Sequence, residues 1–281
     1  MTNGLQPDDG GRGAVIWEAL RREAGLTAEH LGIGATAIGN ADYERTATYA
    51  QAFFALSVGF ERAAKLALTL DAALANDGAF LDGAALRRFG HRLDGLLDSV
   101  ADRADARGVA LAQRPSTGIH RAIIAALTDF AANVNRYYNL EILAAASVTA
   151  HDPIAVWHTT VTRPVLAAHY TEGQRRRDEE RAAAISVPAT TMVWVVATGE
   201  TGEPVRDLED VMLRGARGRV ARPWERMYIL QLARYVTRVI GEFGVQAQAK
   251  GMPVPFLEEY FQAFQVDDAD FRSRKTWLLS F

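Results

Sequence analysis

Cysteine is absent from this 281-residue chain. Disulfides, thiolate catalysis and cysteine-based zinc sites are thereby excluded, and a reducing compartment is the natural setting. Lysine is scarce: Lys65, Lys250 and Lys275 are the only three, and arginine supplies the rest of the 31 basic residues. Neither sign of charge dominates, because the formal net charge is −3. Any contact with nucleic acid must therefore come from a local patch and not from a global basic field. Long apolar runs are also missing. Met192–Ala197 (MVWVVA) is far short of the roughly 20 residues that cross a bilayer. The polar, glycine-rich first 13 residues lack the apolar segment of a secretory signal and read as a tail. A cytoplasmic protein without membrane contact is expected. No Walker loop, G-x-S-x-G elbow or dinucleotide fingerprint occurs, and no cofactor is expected.

What is present is helical periodicity. Hydrophobic residues make up 49% of the chain, enough for a sizeable core at this length. A short helix is expected at Ala14–Ala24, with Gly25 as its stop and Gly32, Gly34 and Gly39 breaking the next segment into turns. From about Asp42 to Ala75, Tyr49, Phe53, Leu56, Phe60, Ala63, Ala67, Leu70 and Leu74 recur at three- and four-residue steps, which places them on one face. Leu93, Leu96, Leu97, Val100 and Ala104 mark a helix over His91–Arg107, and Ile119, Ile123, Leu127, Phe130, Val134 and Tyr137 mark another that Ser116 or Thr117 can cap.

Farther on, Asp152-Pro153 opens a helix that Pro164 should kink or split. Gln174–Ala184 is a charged, solvent-facing helix, and Met192–Ala197 is either a short strand or a buried turn. Asp207–Leu213 reads as a short helix, Arg214–Arg222 as a basic connector broken by glycine, and Pro223–Phe243 as a second helix. An aromatic helix begins at Phe256. The strand–helix alternation of a doubly wound sheet is missing, so the expected fold class is all-α. The expected divisions are a tail and short helix over 1–40, a bundle over 41–150 and a helical C-terminal region over 151–281.

Three phrases carry a family resemblance. They are the Glu61/Lys65 pair on the long apolar helix, Gly90–Leu97 (GHRLDGLL) and Asn135–Asn139 (NRYYN). In order and spacing they resemble the HEPN family of small helical bundles, across about a third of the chain. The resemblance implies an up-and-down bundle that pairs with a second copy. It also implies either a metal-independent ribonuclease or a non-catalytic module tied to RNA or nucleotides. Nuclease members carry an arginine and a histidine separated by four to six residues. Arg114 and His120 satisfy that count, whereas Pro115, Gly118 and the lack of a tyrosine after His120 depart from the pattern.

An arginine–histidine pair can cleave RNA without metal: imidazole moves the 2′-hydroxyl proton and guanidinium stabilises the phosphorane. The plainer alternative makes His120 a first-turn helix residue and Arg114 a solvated loop cation. Arg136 and Tyr137 would clamp a phosphate and a base, or Tyr137 would simply be core. His91 beside Asp94 reads as a capping or structural histidine. His151, His158 and His169 do not have a zinc spacing, so no metal is assigned. Asp267, Asp268 and Asp270 read as a helix cap. No acidic residue lies from Arg214 through Arg222, so Arg214, Arg217, Arg219 and Arg222 make the better nucleic-acid candidate. The expected function is an RNA- or nucleotide-recognition module, dimeric and non-catalytic. The alternative is a ribonuclease using Arg114 and His120, and the aromatic C-terminus (Phe256–Phe264, Trp277, Phe281) is offered as a surface for a protein partner.

Overall fold

The computed structural model describes residues 9–109, 113–132, 138–143, 151–189 and 197–277. Those residues form twelve α-helices with no strand; an isolated bridge between Thr198 and Pro204 is the one β-type pairing among them. The all-α expectation holds.

Helix α1 (Asp9–Ile38) is longer than its glycines suggest. A Cβ on Gly34 would lie 2.5 Å from Leu56 Cγ, and one on Gly59 would lie 3.0 Å from the Leu31 backbone nitrogen. The two contacts run in opposite chain directions, so α1 packs antiparallel on α2 (Thr46–Ala75) at a crossing that only hydrogen-sized side chains permit. These glycines mark close approach, not turns. Gly39 is constrained differently, because a Cβ there would collide with the Arg226 guanidinium. Helix α2 starts at Thr46, four residues later than expected, after a turn in which Arg45 bonds back to Asp42.

Helix α3 (Gly83–Arg88) is capped by Asp82, whose side chain accepts from the Ala85 N–H. Helices α4 (Leu93–Ala106) and α5 (Gly118–Ala131) complete the first-half bundle, with Thr117 as the α5 cap. Phe53, Phe60, Leu97, Ile123 and Phe130 are all buried in one core, and the Phe53 and Phe130 rings meet edge-on at 5.6 Å. The stripe expected from Ile119 to Tyr137 lies on α5 as far as Phe130, residues 133–137 lie outside the described ones, and α6 (Tyr138–Leu143) follows.

Helix α7 (Pro153–Trp157) runs through a π-helical turn (His158–Thr162) into α8 (Arg163–His169). Pro164 has no N–H to give to the preceding turn, and the ladder widens there instead of breaking. Helix α9 (Glu172–Ala189) follows; of Met192–Ala197, only Ala197 is a described residue. Helix α10 then spans Leu208–Ala249 without interruption. The expected glycine-broken connector at 214–222 is therefore wrong. Its residues are helical, with Ala216 and Ala221 buried among neighbours. That burial offsets the roughly 3 kcal/mol an interior proline costs at Pro223.

Helices α11 (Leu257–Phe261) and α12 (Asp268–Ser273) fold back on α10. Phe261, Phe264, Phe271 and Trp277 are core residues, so these aromatics serve the interior and not a partner surface. Phe256 alone among the described C-terminal aromatics is exposed, at 70%; Phe281 is not among the described residues. The boundary expected at 150 falls at residues not described. One apolar core nonetheless takes in Phe53, Phe130, Trp157, Val236 and Trp277 from both sides of it, and Phe53 and Trp157 lie 5.2 Å apart.

Candidate functional site

Where α2, the π-helical turn, α8, the 200–203 turn and α10 converge, they enclose a cavity of about 280 Å³. Its wall grades from buried to exposed. Tyr49, Thr162, Ala221 and Glu225 are buried, whereas Arg163 and Arg217 stand exposed at the mouth. Glu225 is only 2% exposed and takes a 2.5 Å hydrogen bond from the Thr162 hydroxyl. Burial pushes its carboxyl up, away from the charged form, against the opposing effect of that hydroxyl. Tyr49, facing the same space, is pushed up by burial and by the nearby Glu225 and Glu200 charges.

His158 contributes a buried Nδ1 with no hydrogen-bond partner among the described residues. Burial lowers its pKa although Glu200 pulls the other way, so its imidazole is neutral near pH 7. The π-helical turn is what aims it: one extra residue per turn rotates His158 and Thr162 together toward α10.

Arg214 clasps the 200–203 turn. Its guanidinium lies 2.8 Å from Glu203, 3.1 Å from Asp210 and 3.4 Å from Glu200, and it sits over the Tyr43 ring. Burial would raise the Glu203 pKa, but the Thr201 hydroxyl, a backbone N–H and Arg214 together hold it at about 2. A Cβ on Gly199 would strike this pair, and one on Gly218 would lie 2.7 Å from the Arg222 guanidinium. Both glycines therefore leave room for an arginine.

Of the four arginines singled out in the sequence, the fold brings Arg214, Arg217 and Arg222 to the cavity. Arg219 turns away toward Asp178 at 3.5 Å. Arg222 lies 3.5 Å from Asp42. Apart from Asp210, one turn before Arg214 on the same helix, the acidic partners arrive from elsewhere in the chain. Arg217 and Arg163 are different: neither side chain makes an ion pair or hydrogen bond among the described residues.

Arg114 and His120 sit outside this cavity. Arg114 pairs with Asp98 at 2.6 Å. His120 is 3% exposed; its Nδ1 faces the Thr117 hydroxyl at 2.7 Å and its Nε2 faces Gln231 Oε1 at 2.9 Å. Gln231 in turn donates to Asp268, which also accepts from Arg234. Both imidazole nitrogens are thus occupied by structural bonds. Burial lowers the pKa of His120, with Gln231 and Asp268 opposing. Arg136 and Tyr137 lie outside the described residues.

His169 stacks on Trp224 at 3.6 Å and bonds to the Tyr228 hydroxyl. Asp267 caps α12 by accepting from the Asp270 N–H. Among the described residues no group of three or more acidic or histidine side chains is arranged to hold a metal ion, and no helix is long and apolar enough to cross a membrane.

Sequence reasoning missed Glu225, Tyr49, Thr162, Glu200 and Arg163. The one signal that could have found Glu225 is a carboxylate inside the apolar face of α10, one residue after Trp224. Comparison of the chain with protein-family models, with curated proteins and with solved structures yields no match.

Proposed function

We propose that this protein is a HEPN-like recognition module, cytoplasmic and dimeric, that binds a small phosphorylated ligand of the nucleotide class in the arginine-mouthed cavity and does not cleave RNA. The observation that carries the reading is the pair Arg163 and Arg217: two guanidiniums at the entrance of the cavity, neither engaged by a carboxylate among the described residues. A planar guanidinium matches phosphate geometry and stays charged at any physiological pH. The cavity volume of about 280 Å³ suits one nucleoside monophosphate better than a folded polynucleotide.

Support for HEPN kinship comes from the meeting of two sequence phrases. Glu61 pairs with Lys65 at 2.8 Å, and His91 of the Gly90–Leu97 phrase reaches the same Glu61 oxygen at 2.9 Å. The ribonuclease alternative has less behind it, because His120 would have to leave Thr117 and Gln231 before reaching a phosphate.

Isothermal titration of the purified protein with nucleoside monophosphates and the matching nucleosides tests the reading. Monophosphates should bind more tightly than nucleosides. Replacing both arginines (Arg163→Ala with Arg217→Ala) should weaken monophosphate binding by about ten- to a hundredfold, the worth of one or two charge-assisted hydrogen bonds. Absence of binding at millimolar ligand, or equal affinity in the double variant, would overturn it.

A further inference from the structure

The two ends of the cavity differ in hydrogen-bonding character. The mouth offers only donors, from Arg163 and Arg217. The inner wall carries acceptors: the carboxyls of Glu225 and Glu200 lie on it. Glu200 holds Arg214 only loosely, at 3.4 Å, whereas Glu203 and Asp210 hold it closely. The Thr162 hydroxyl already spends its proton on Glu225 Oε1. A ligand that fills this space must therefore bring anionic oxygen to the mouth and N–H groups to the inner end.

Resting on the nucleotide reading, the geometry points to Glu225 and Glu200 as a subsite for a base that carries an exocyclic amino group, adenine or cytosine in preference to their oxo counterparts. An exocyclic amino group donates two hydrogens, and the carboxyls of Glu225 and Glu200 offer the oxygens that accept them. An oxo base puts a carbonyl oxygen where the amino group puts its donors, and a buried acceptor would be left opposite another acceptor. Sites that bond a ligand's N–H reject the analogue lacking it much more strongly than apolar pockets reject a missing methylene.

The test compares matched pairs on the full chain by isothermal titration: AMP against IMP, and CMP against UMP. Each pair differs only in the amino-for-oxo exchange and its ring proton. At least about a tenfold preference for the amino member is expected in one or both pairs. Glu225→Leu should bring that ratio close to one while the phosphate contribution at Arg163 and Arg217 persists. Glu200→Gln, which removes the anion but leaves an amide able to turn either way, should reduce the ratio, and it serves as the second variant should Glu225→Leu not fold. Equal binding of amino and oxo members overturns the subsite while leaving the nucleotide reading in place. A preference that survives both variants also overturns it. Failure of every monophosphate to bind removes both.

Discussion

His120 shows how a side chain of apparent catalytic type becomes part of a scaffold. It closes a capping box with Thr117 at the start of α5 and reaches across to Gln231 on α10. With Thr117 N–H directed at Nδ1, the neutral tautomer protonated at Nε2 satisfies every neighbour. Replacing it (His120→Ala) should cost about 2 kcal/mol, through the lost cap and an unpaired Gln231, as read from urea unfolding. The pH dependence has a definite sign. Burial holds the folded-state pKa below the ordinary 6.5, so the unfolded chain binds the proton more readily. The stability contributed by His120 is complete above about pH 6.5 and is lost as pH falls through that value toward the folded-state pKa. The substituted protein should therefore lose less melting temperature than the parent between pH 7 and pH 5; equal losses would show that His120 does not titrate across unfolding. From sequence, the arginine–histidine count in 114–120 was visible, but nothing local announces Gln231, which lies 111 residues away. The same blindness applies to the arginines of 214–222. Asp210 is the local exception; the partners Asp42, Asp178, Glu200 and Glu203 come from other segments, and only the fold reveals which cations have no carboxylate among the described residues.

At the scale of elements, the apolar stripes of α2, α4 and α5 were legible because a period of 3.6 needs no tertiary information. Glycine was the misleading letter. In α1 it was read as a breaker, yet Gly34 and Gly59 lie where two backbones approach, and this contact stabilises the helix that glycine's own propensity weakens. Two substitutions on one helix should consequently move stability in opposite directions. At Gly34 a methyl meets Leu56 Cγ at 2.5 Å, so Gly34→Ala should destabilise by about 1–3 kcal/mol. At Gly25 nothing lies within 4 Å, so Gly25→Ala should stabilise by about 0.5–1 kcal/mol through helix propensity. Thermal melts of the two variants check this, and a shared sign would contradict the packing account. In α10, the proline and glycines between 215 and 223 obscured a single 42-residue helix. Burial of that helix on the core decides its continuity, and burial is a property of neighbours not written into the local sequence.

Across the whole molecule, the C-terminal end of the described chain is tied to the last turn of α1. The Trp277 backbone N–H donates to Thr36 Oγ1 at 2.8 Å, and its indole N–H donates to the Arg274 carbonyl at 3.0 Å. Its ring packs edge-on against Phe271 at 5.5 Å. Nearby, buried Arg226 donates to the carbonyls of Phe271 and Arg272, satisfying the end of α12 from the middle of α10. Truncating this anchor (Trp277→Ala) should destabilise the protein by about 3–5 kcal/mol. Because the core is continuous from Phe53 to Trp277, far-ultraviolet circular dichroism and tryptophan fluorescence should report a single coincident transition. Two separate transitions would restore the division expected near residue 150.

The cavity's walls are drawn from residues as far apart as Tyr49 and Glu225, with the 200–203 turn held in place by Arg214. No contiguous fragment shorter than residues 49–225 contains all of its sides. A chain half-made or clipped inside that span would consequently present arginines and glutamates but no receptor, and occupancy becomes a certificate that the span is whole.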